Sequence, residues 1–349
     1  MKNGFESTPS RGASDIQKQS FEIFGEVQEE LSSALSLYWT TAGRILDGSG
    51  VRLLKPSAGY FDLKRNFFSA LFLYSYHRAG ISAPRRALYA AMNQCLRGMV
   101  TGCDNLLDDE YKKTLDTDLP EHGVRFRSVL DMLTSDRVLF DLLFQAHRRK
   151  ELSAEEVRIL NALSLKTLVR SGAQEASEES GVRERLRPEK ILKSVHHFKT
   201  GLLFQSPWAA PSALENLEED VTAPLLTALY DIGMGCQIMD DMVDLHSDLK
   251  QHRHNYVASL IHHCADPSAG ARLDRMAASP KIEDNDSLLS AFPDIGTTAA
   301  RTAVGYLEKG LSGLLSTEPA FRISAAIGFL AQQIGAERWI FPQIFPDEA

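Results

Sequence analysis

Two stretches of the chain crowd carboxylates just beyond apolar helical runs. In "CDNLLDDEYKK", residues 103–113, Asp104 and Asp108 stand at i and i+4, with Asp109 and Glu110 alongside. In "GMGCQIMDDMVDLHSDLK", residues 233–250, Asp240, Asp244 and Asp248 fall at i, i+4 and i+8, on one helix face, with Asp241 at its shoulder. Like charges about 4 Å apart repel by roughly 4 kcal/mol at an effective dielectric near 20, so each cluster calls for a cation, water or a basic partner. One acidic pair alone reads as a solvated helix face. Two such helices facing each other across a bundle would form an all-oxygen site for a hard divalent cation. Mg2+ suits it best, because it keeps waters and is held by one or two carboxylates plus the phosphates of a substrate. Between the clusters, "HHFKTGLLFQSP", residues 196–207, sets Lys199 and Thr200 before a glycine in an otherwise apolar run. A lysine there offers a point charge to a phosphate oxygen. Carboxylates, Mg2+ and lysine around apolar helices point to a diphosphate head on a hydrocarbon tail.

The elements that must position these residues are helical. Phe24, Val27, Leu31 and Leu35 step at three or four, as do Phe67, Leu71 and Tyr74. A long apolar run from Arg85 to Leu107 is opened by "SAPRR", with Ser82 as a cap and Pro84 in the first turn. Ser153 and Glu156 have capping-box spacing. Two-residue alternation is absent, so the expected fold is all-α, a single helical bundle over residues 19–349. Residues 1–18 are expected to be disordered, "QEASEESGVRERLRPEK" a polar loop, and "ADPSAGARLDRMAASPKIEDNDS" a mobile surface insertion.

Composition narrows the function classes. The 349 residues are 44% hydrophobic and 24% charged, an ordinary soluble globular balance. A net charge of −8 without a Lys/Arg stripe argues against nucleic acid. No run of apolar residues is long enough to span a membrane, and the polar N-terminus lacks the apolar core of a signal peptide. The four cysteines show no CxxC or disulfide spacing, which fits a reduced, cytoplasmic setting. Cys103, in an apolar run, reads as a small buried side chain. The ten histidines make no HExxH or HxxxH pattern with a carboxylate, so zinc is not indicated.

In order along the chain, DxxxD, KTG and GxxxQxxDDxxD resemble the motifs of the trans-isoprenyl diphosphate synthases (the polyprenyl synthetase family) and their class I terpene synthase relatives. The likeness runs from about Arg52 to Asn255. Gln237, Asp240, Asp241, Asp244 and Asp248 each stand where the family's second aspartate-rich motif has them, whereas "DNLLD" carries Asn105 in place of the second aspartate of the first. The resemblance implies the isoprenoid synthase fold and ionisation of an allylic prenyl diphosphate. It assigns Mg2+ to Asp104, Asp108, Asp240, Asp241 and Asp244, and catalysis to Asp104, Asp108, Lys199, Asp240 and Asp241. It places Arg52, Arg97, Lys112, Lys113, Lys199, Thr200, Gln237, Lys250 and Arg253 against substrate. It also implies a homodimer packed through helices near the first motif.

Departures from the pattern leave two reactions open. Elongating relatives hold isopentenyl diphosphate with a "GGKR" loop, a histidine before the first motif and an Arg–Arg pair after it. Here "GSGVRLLKP" offers Arg52 and Lys55, Arg97 stands at the histidine position, and Lys112 and Lys113 replace the arginines. Positive charge survives at all three places, but lysine lacks the planar bidentate fork of arginine. Prenyl transfer to isopentenyl diphosphate is the leading expectation, and cyclisation of a single prenyl diphosphate by a terpene synthase is the alternative. A non-catalytic regulatory subunit is a third reading, disfavoured by the intact second motif and Lys199. Phe72, Phe140 and Phe204 are candidate walls for the tail, and Met99, Val100 and Thr101 its candidate floor.

Overall fold

The computed structural model describes residues 24–107, 111–279, 285–316 and 318–345, and among them every regular element is a helix. The helices group into two compact units: Met1–Gly25, Gln174–Phe204 and Pro224–Ala349 form one, Glu26–Ala173 and Gln205–Ala223 the other. The disorder expected of residues 1–18 and the metal role of Asp108 concern positions outside the described residues.

The unit built from Glu26–Ala173 and Gln205–Ala223 contains α1 (Gln28–Leu46), α2 (Phe67–Arg78), α3 (Ala83–Leu107), α4 (Val124–Arg148) and most of α5 (Ala154–Glu178). Helix α3 follows its sequence signals, with Pro84 in the first turn and Leu88, Met92 and Cys95 buried along one face. Its C-terminal half packs on α4 through two glycines. A β-carbon on Gly98 would collide with the Ser135 hydroxyl, and one on Gly102 would lie 2.6 Å from Met132 Cγ and 2.8 Å from the Ser128 carbonyl. That close approach fixes the end of α3, where the first acidic motif begins. Helix α5 opens on the expected capping box, Ser153 N–H donating to Glu156 at 2.7 Å and Glu156 N–H to Ser153 Oγ at 3.2 Å. The segment after residue 205 is pinned by Trp208, whose indole donates to Ser75 Oγ at 2.8 Å, and by Tyr76, whose hydroxyl donates to the Pro207 carbonyl at 2.6 Å.

The other unit holds the last turn of α5, a π-helix at Ile191–Gly201, α6 (Glu219–Val243) from Pro224 onward, α7 (Leu245–Lys250), α8 (Tyr256–His262), α9 (Ala269–Ala277), α10 (Pro293–Leu314), α11 (Ala320–Ile334) and α12 (Glu337–Ile344). Gly310 of α10 lies where a β-carbon would meet the Ala228 carbonyl at 2.6 Å, so α6 and α10 pack backbone to backbone. Helix α11 ends at Gly335, whose φ of +89° is the left-handed stop that glycine adopts without strain.

Two expectations for loops are corrected. Gln174–Glu178 continue α5, because Gln174 Nε2 bonds Glu178 at 2.9 Å one turn on and Glu178 is itself buried. Within the supposed surface insertion Ala269–Ala277 form α9, anchored by Leu273, which is fully buried. No helix of the described residues is long and apolar enough to cross a membrane.

Candidate active site

Helix α6 carries the second acidic motif at its C-terminal end, and its two adjacent aspartates face opposite environments. Asp240 is exposed, whereas Asp241, about 100° further round the helix, is buried at 2% exposure. Asp241 Oδ1 accepts from Gln237 Nε2 at 3.0 Å, and Oδ2 accepts from the Tyr256 N–H and lies 2.9 Å from His196 Nε2. Burial pushes the Asp241 carboxyl up, but His196 and these hydrogen bonds prevail and hold it below the usual carboxylate value. With both oxygens engaged, Asp241 serves as an internal anchor rather than the outward ligand expected of it.

The chain bends at Asp244 (φ −97°, ψ 8°), between α6 and α7. The four-residue ladder survives the bend: Asp244 N–H bonds the Asp240 carbonyl at 2.8 Å, and Asp248 N–H bonds the Asp244 carbonyl at 2.9 Å. Asp244 is exposed like Asp240. Asp248 is turned inward and accepts from Asn255 Nδ2 at 2.8 Å, and burial, aided by Asp241, raises its pKa well above the usual value. Asn255 also donates to the Asp241 carbonyl at 2.7 Å and caps α8 by accepting from Ala258 N–H at 3.0 Å. Asp240 and Asp244 are thus the outward pair, and Asp241 and Asp248 the inward one.

Lys199 and Thr200 lie in the π-helix, a rare winding that marks functional sites. The Lys199 ammonium is 3.2 Å from Glu175 of α5. Burial disfavours its charge, but Glu175, Asp241, Asp248 and Glu178 outweigh burial and raise its pKa. Thr200 donates a short hydrogen bond to Gln237 Oε1, and Gln237 Nε2 also lies 3.4 Å from Asp240 Oδ2. Gly201 of the KTG run sits where a β-carbon would strike the Tyr230 ring, so only glycine lets the π-helix approach α6 this closely. Phe204 lies over Gly233 in the same way. Lys199, Thr200, Gln237, Asp240, Asp241 and Asp244 are therefore brought into one neighbourhood. Lys250 is exposed at the end of α7, and Arg253 N–H bonds the Asp248 carbonyl at 2.8 Å.

Three residues of this site escaped the sequence reading: Glu175, Glu178 and Asn255. Glu178 is 3% exposed and accepts from His254 N–H at 2.9 Å, tying the loop after the second motif to the end of α5. The i, i+3 spacing of Glu175 and Glu178 was the available signal, hidden by the polar character of the surrounding run.

In the other unit, Asp104 lies partly exposed on the last turn of α3. Asn105 is buried at 3% exposure. Its amide donates to the Lys112 carbonyl at 3.1 Å and accepts from Lys112 N–H at 2.7 Å, closing the base of the loop that follows the first motif. An aspartate could accept there but not donate, so the departure from the family pattern has a local structural cause. Beyond that clamp, Thr114 donates to buried Asp131 at 2.6 Å and Arg127 donates to the Thr117 carbonyl at 3.0 Å.

The basic positions gather around the same loop. Arg52 pairs with Asp118 at 2.9 Å, Lys113 with Asp116 at 2.9 Å, and Leu53 forms a β-bridge with Thr117. Arg65, missed in the sequence, donates to the Lys113 carbonyl at 3.0 Å, and Arg97 donates to Asn66 Oδ1 at 3.0 Å and to the Arg65 carbonyl at 3.2 Å. Burial, then the Arg65 charge, lowers the Arg97 pKa. Among the described residues neither Arg65 nor Arg97 is paired with a carboxylate. Phe140 is corrected as a wall residue, since it is 54% exposed on α4 and stacked on Phe144. Cys103 is exposed rather than buried.

Among the described residues no group of three or more His, Cys, Asp or Glu side chains is arranged to hold a metal by itself. The two outward carboxylates, Asp240 and Asp244, fit Mg2+, whose remaining ligands are water and phosphate oxygens.

Neither a family model nor a curated protein sequence matches the chain. Solved structures do. A decaprenyl diphosphate synthase from Rhodobacter capsulatus superposes with a TM-score of 0.63 at 15% identity, covering 91% of this chain and 99% of that one. A polyprenyl synthase from Caulobacter crescentus, complexed with calcium and isoprenyl diphosphate, gives 0.61 at 13% identity over 92% and 98%. A geranylgeranyl pyrophosphate synthase from Bacteroides thetaiotaomicron gives 0.59 at 18% identity over 91% and 98%. The chain has the all-α isoprenoid synthase fold of these proteins over nearly its whole length.

Proposed function

We propose that the protein is an enzyme of the isoprenoid synthase class that ionises an allylic prenyl diphosphate and transfers the prenyl group to isopentenyl diphosphate. The observation that carries this reading is the assembly of Lys199, Thr200, Gln237, Asp240 and Asp244 around an anchored Asp241, on a fold shared with prenyl diphosphate synthases. The site belongs to the described residues of one unit; Asp104 and Asp108 are assigned to metal binding on the resemblance of their motif. Bound Mg2+ would neutralise the negative charge that grows on the departing diphosphate.

The side chains account for the rest. Asp240 and Asp244 present exposed carboxylates to the metal, and Asp241 stays behind them, holding α6 against the π-helix. Lys199 supplies a fixed positive charge to the leaving group, where preorganised charge lowers the barrier most. Its bond to Glu175 keeps it charged and aimed before substrate arrives. Thr200 and Gln237 orient the reacting end. Scission of the allylic C–O bond leaves both electrons on the diphosphate and a delocalised cation on carbon. The double bond of isopentenyl diphosphate then attacks that carbon through its CH2 end, and the tertiary cation so formed loses a proton from the adjacent chain CH2 to restore a double bond. The second diphosphate is held by Arg97 and Arg65, whereas Arg52 and Lys113 are already engaged with Asp118 and Asp116.

That engagement favours a second reading. With two of the expected cations neutralised, the protein can be a terpene synthase acting on one prenyl diphosphate, for which no second diphosphate pocket is needed. Product analysis with Mg2+ and geranyl, farnesyl or geranylgeranyl diphosphate decides. A longer prenyl diphosphate formed only with isopentenyl diphosphate supports transfer, a hydrocarbon or alcohol from one substrate supports cyclisation, and no turnover refutes both. The protein acts as a homodimer joined through α4, where Phe126, Leu133, Phe140 and Phe144 are 58%, 57%, 54% and 46% exposed along one face.

A further inference from the structure

His196 lies in the π-helix three residues before Lys199 and four before Thr200. Its side chain is 1% exposed, and its Nε2 is 2.9 Å from Asp241 Oδ2. Thr200 bonds Gln237, which lies one turn before Asp241 on α6, and Gln237 bonds Asp241 at 3.0 Å. The two helices are therefore joined by two rungs, His196–Asp241 and Thr200–Gln237, with a cross-link between the rungs. We propose that His196 is a positioning residue: its bond to Asp241 sets the register of the π-helix on α6 and so fixes Lys199 relative to the acidic motif that begins at Asp240, for a metal-complexed diphosphate. This rests on the reading of the site given above.

Three observations support it. A π-winding of 11 residues is far longer than the single turns in which this helix type usually occurs, so contacts from outside must select its register. The imidazole makes a poor filler: Nδ1 is buried without a hydrogen-bond partner, a cost an apolar side chain of similar size would avoid. The carboxylate it holds is the immediate neighbour of Asp240, so a shift at the rung moves the site directly. Asp241 has further donors in Gln237 and the Tyr256 N–H, but Gln237 belongs to α6 itself and Tyr256 to α8. Among the donors to Asp241, His196 alone comes from the helix that carries the lysine.

The test compares wild type, His196→Leu and His196→Gln by calorimetric titration of inorganic diphosphate in the presence of Mg2+, with thermal unfolding and prenyl turnover measured in parallel. Removing an outer partner that fixes the geometry of a metal site typically weakens affinity or activity by about 10- to 100-fold, and that loss is expected in His196→Leu at temperatures where it is fully folded. His196→Gln, whose amide N–H reaches the same carboxylate, is expected to recover most of the diphosphate affinity even where its melting temperature stays below wild type. Wild-type affinity in folded His196→Leu overturns the proposal, as does a glutamine variant that regains stability but not affinity. A wild-type protein that neither binds Mg2+-diphosphate nor turns over overturns the reading of the site instead, so the two failures are told apart.

Discussion

Asp131 gives the most quantitative handle on the loop after the first motif. It is 2% exposed on α4 and receives the Thr114 hydroxyl at 2.6 Å. Burial pushes its carboxyl up, Thr114, Leu115 and Arg127 pull it down, and burial wins, leaving a pKa of about 6 against an ordinary 3.8. The folded state therefore holds this proton more tightly than the unfolded chain, and the group's contribution to stability falls as pH rises from the lower value to the higher. A gap of about two pH units is worth about 3 kcal/mol, of which about 2 kcal/mol lies between pH 4.5 and 7.5. Asp131→Asn keeps the size of the group and mimics its protonated form. Urea unfolding of both proteins across that range gives a difference curve in which other titrating groups cancel. The stability of wild type minus that of Asp131→Asn is expected to fall by about 2 kcal/mol as pH rises. A flat or rising difference refutes the argument that burial prevails over the hydrogen bonds and Arg127 at Asp131.

Other outcomes are expected from single changes. Asp240→Ala, at an exposed position, should abolish prenyl turnover while leaving the melting temperature nearly unchanged; near-normal turnover would remove Asp240 from the metal set. Gly201→Ala forces a methyl into the Tyr230 ring and should cost about 1–3 kcal/mol in denaturant unfolding, with loss of activity from the displaced Lys199. Asn105→Asp sets a carboxylate against the Lys112 carbonyl and should cost about 1–3 kcal/mol, whereas a more active Asn105→Asp would make the position an impaired ligand instead. Phe140→Glu should convert a dimer to monomer in light scattering, and an unchanged mass would move the interface elsewhere.

Much of the framework was legible because helices write themselves into sequence as three- and four-residue steps. The capping box at Ser153 and Glu156, the proline in the first turn of α3 and the apolar runs before each acidic motif all mark elements that formed where expected. Helical periodicity tells which residues share a face, but not always which face turns inward. Phe140 reads as core by its type and lies outside, on a stripe continued by Leu133 and Phe144. Cys103 failed in the same way. The π-winding was invisible too, since no pattern of residue types distinguishes an i→i+5 ladder from an α-helical one.

The acidic motif shows what such a reading misses and why it matters chemically. Asp240 and Asp241 are identical letters, and a motif treats them as one device. About 100° of helix rotation separates them: Asp240 faces solvent, and Asp241 is enclosed by partners from three elements, His196 of the π-helix, Gln237 of α6 itself and Tyr256 of α8. Gln237 lies one turn away and belongs to the motif, but His196 and Tyr256 lie 45 and 15 residues away, so no local pattern could announce them. A buried carboxylate with every oxygen satisfied costs little and moves little, whereas an exposed one is free to exchange water for metal. The repulsion within the crowded aspartates is thus handled in two ways. The inward pair, Asp241 and Asp248, is absorbed by His196, Asn255 and Lys199, and Asp248 takes up a proton more readily than an ordinary carboxylate. The outward pair, Asp240 and Asp244, stands exposed where a cation would reach it, and the inward pair, bonded to neighbouring elements, fixes the backbone that carries it.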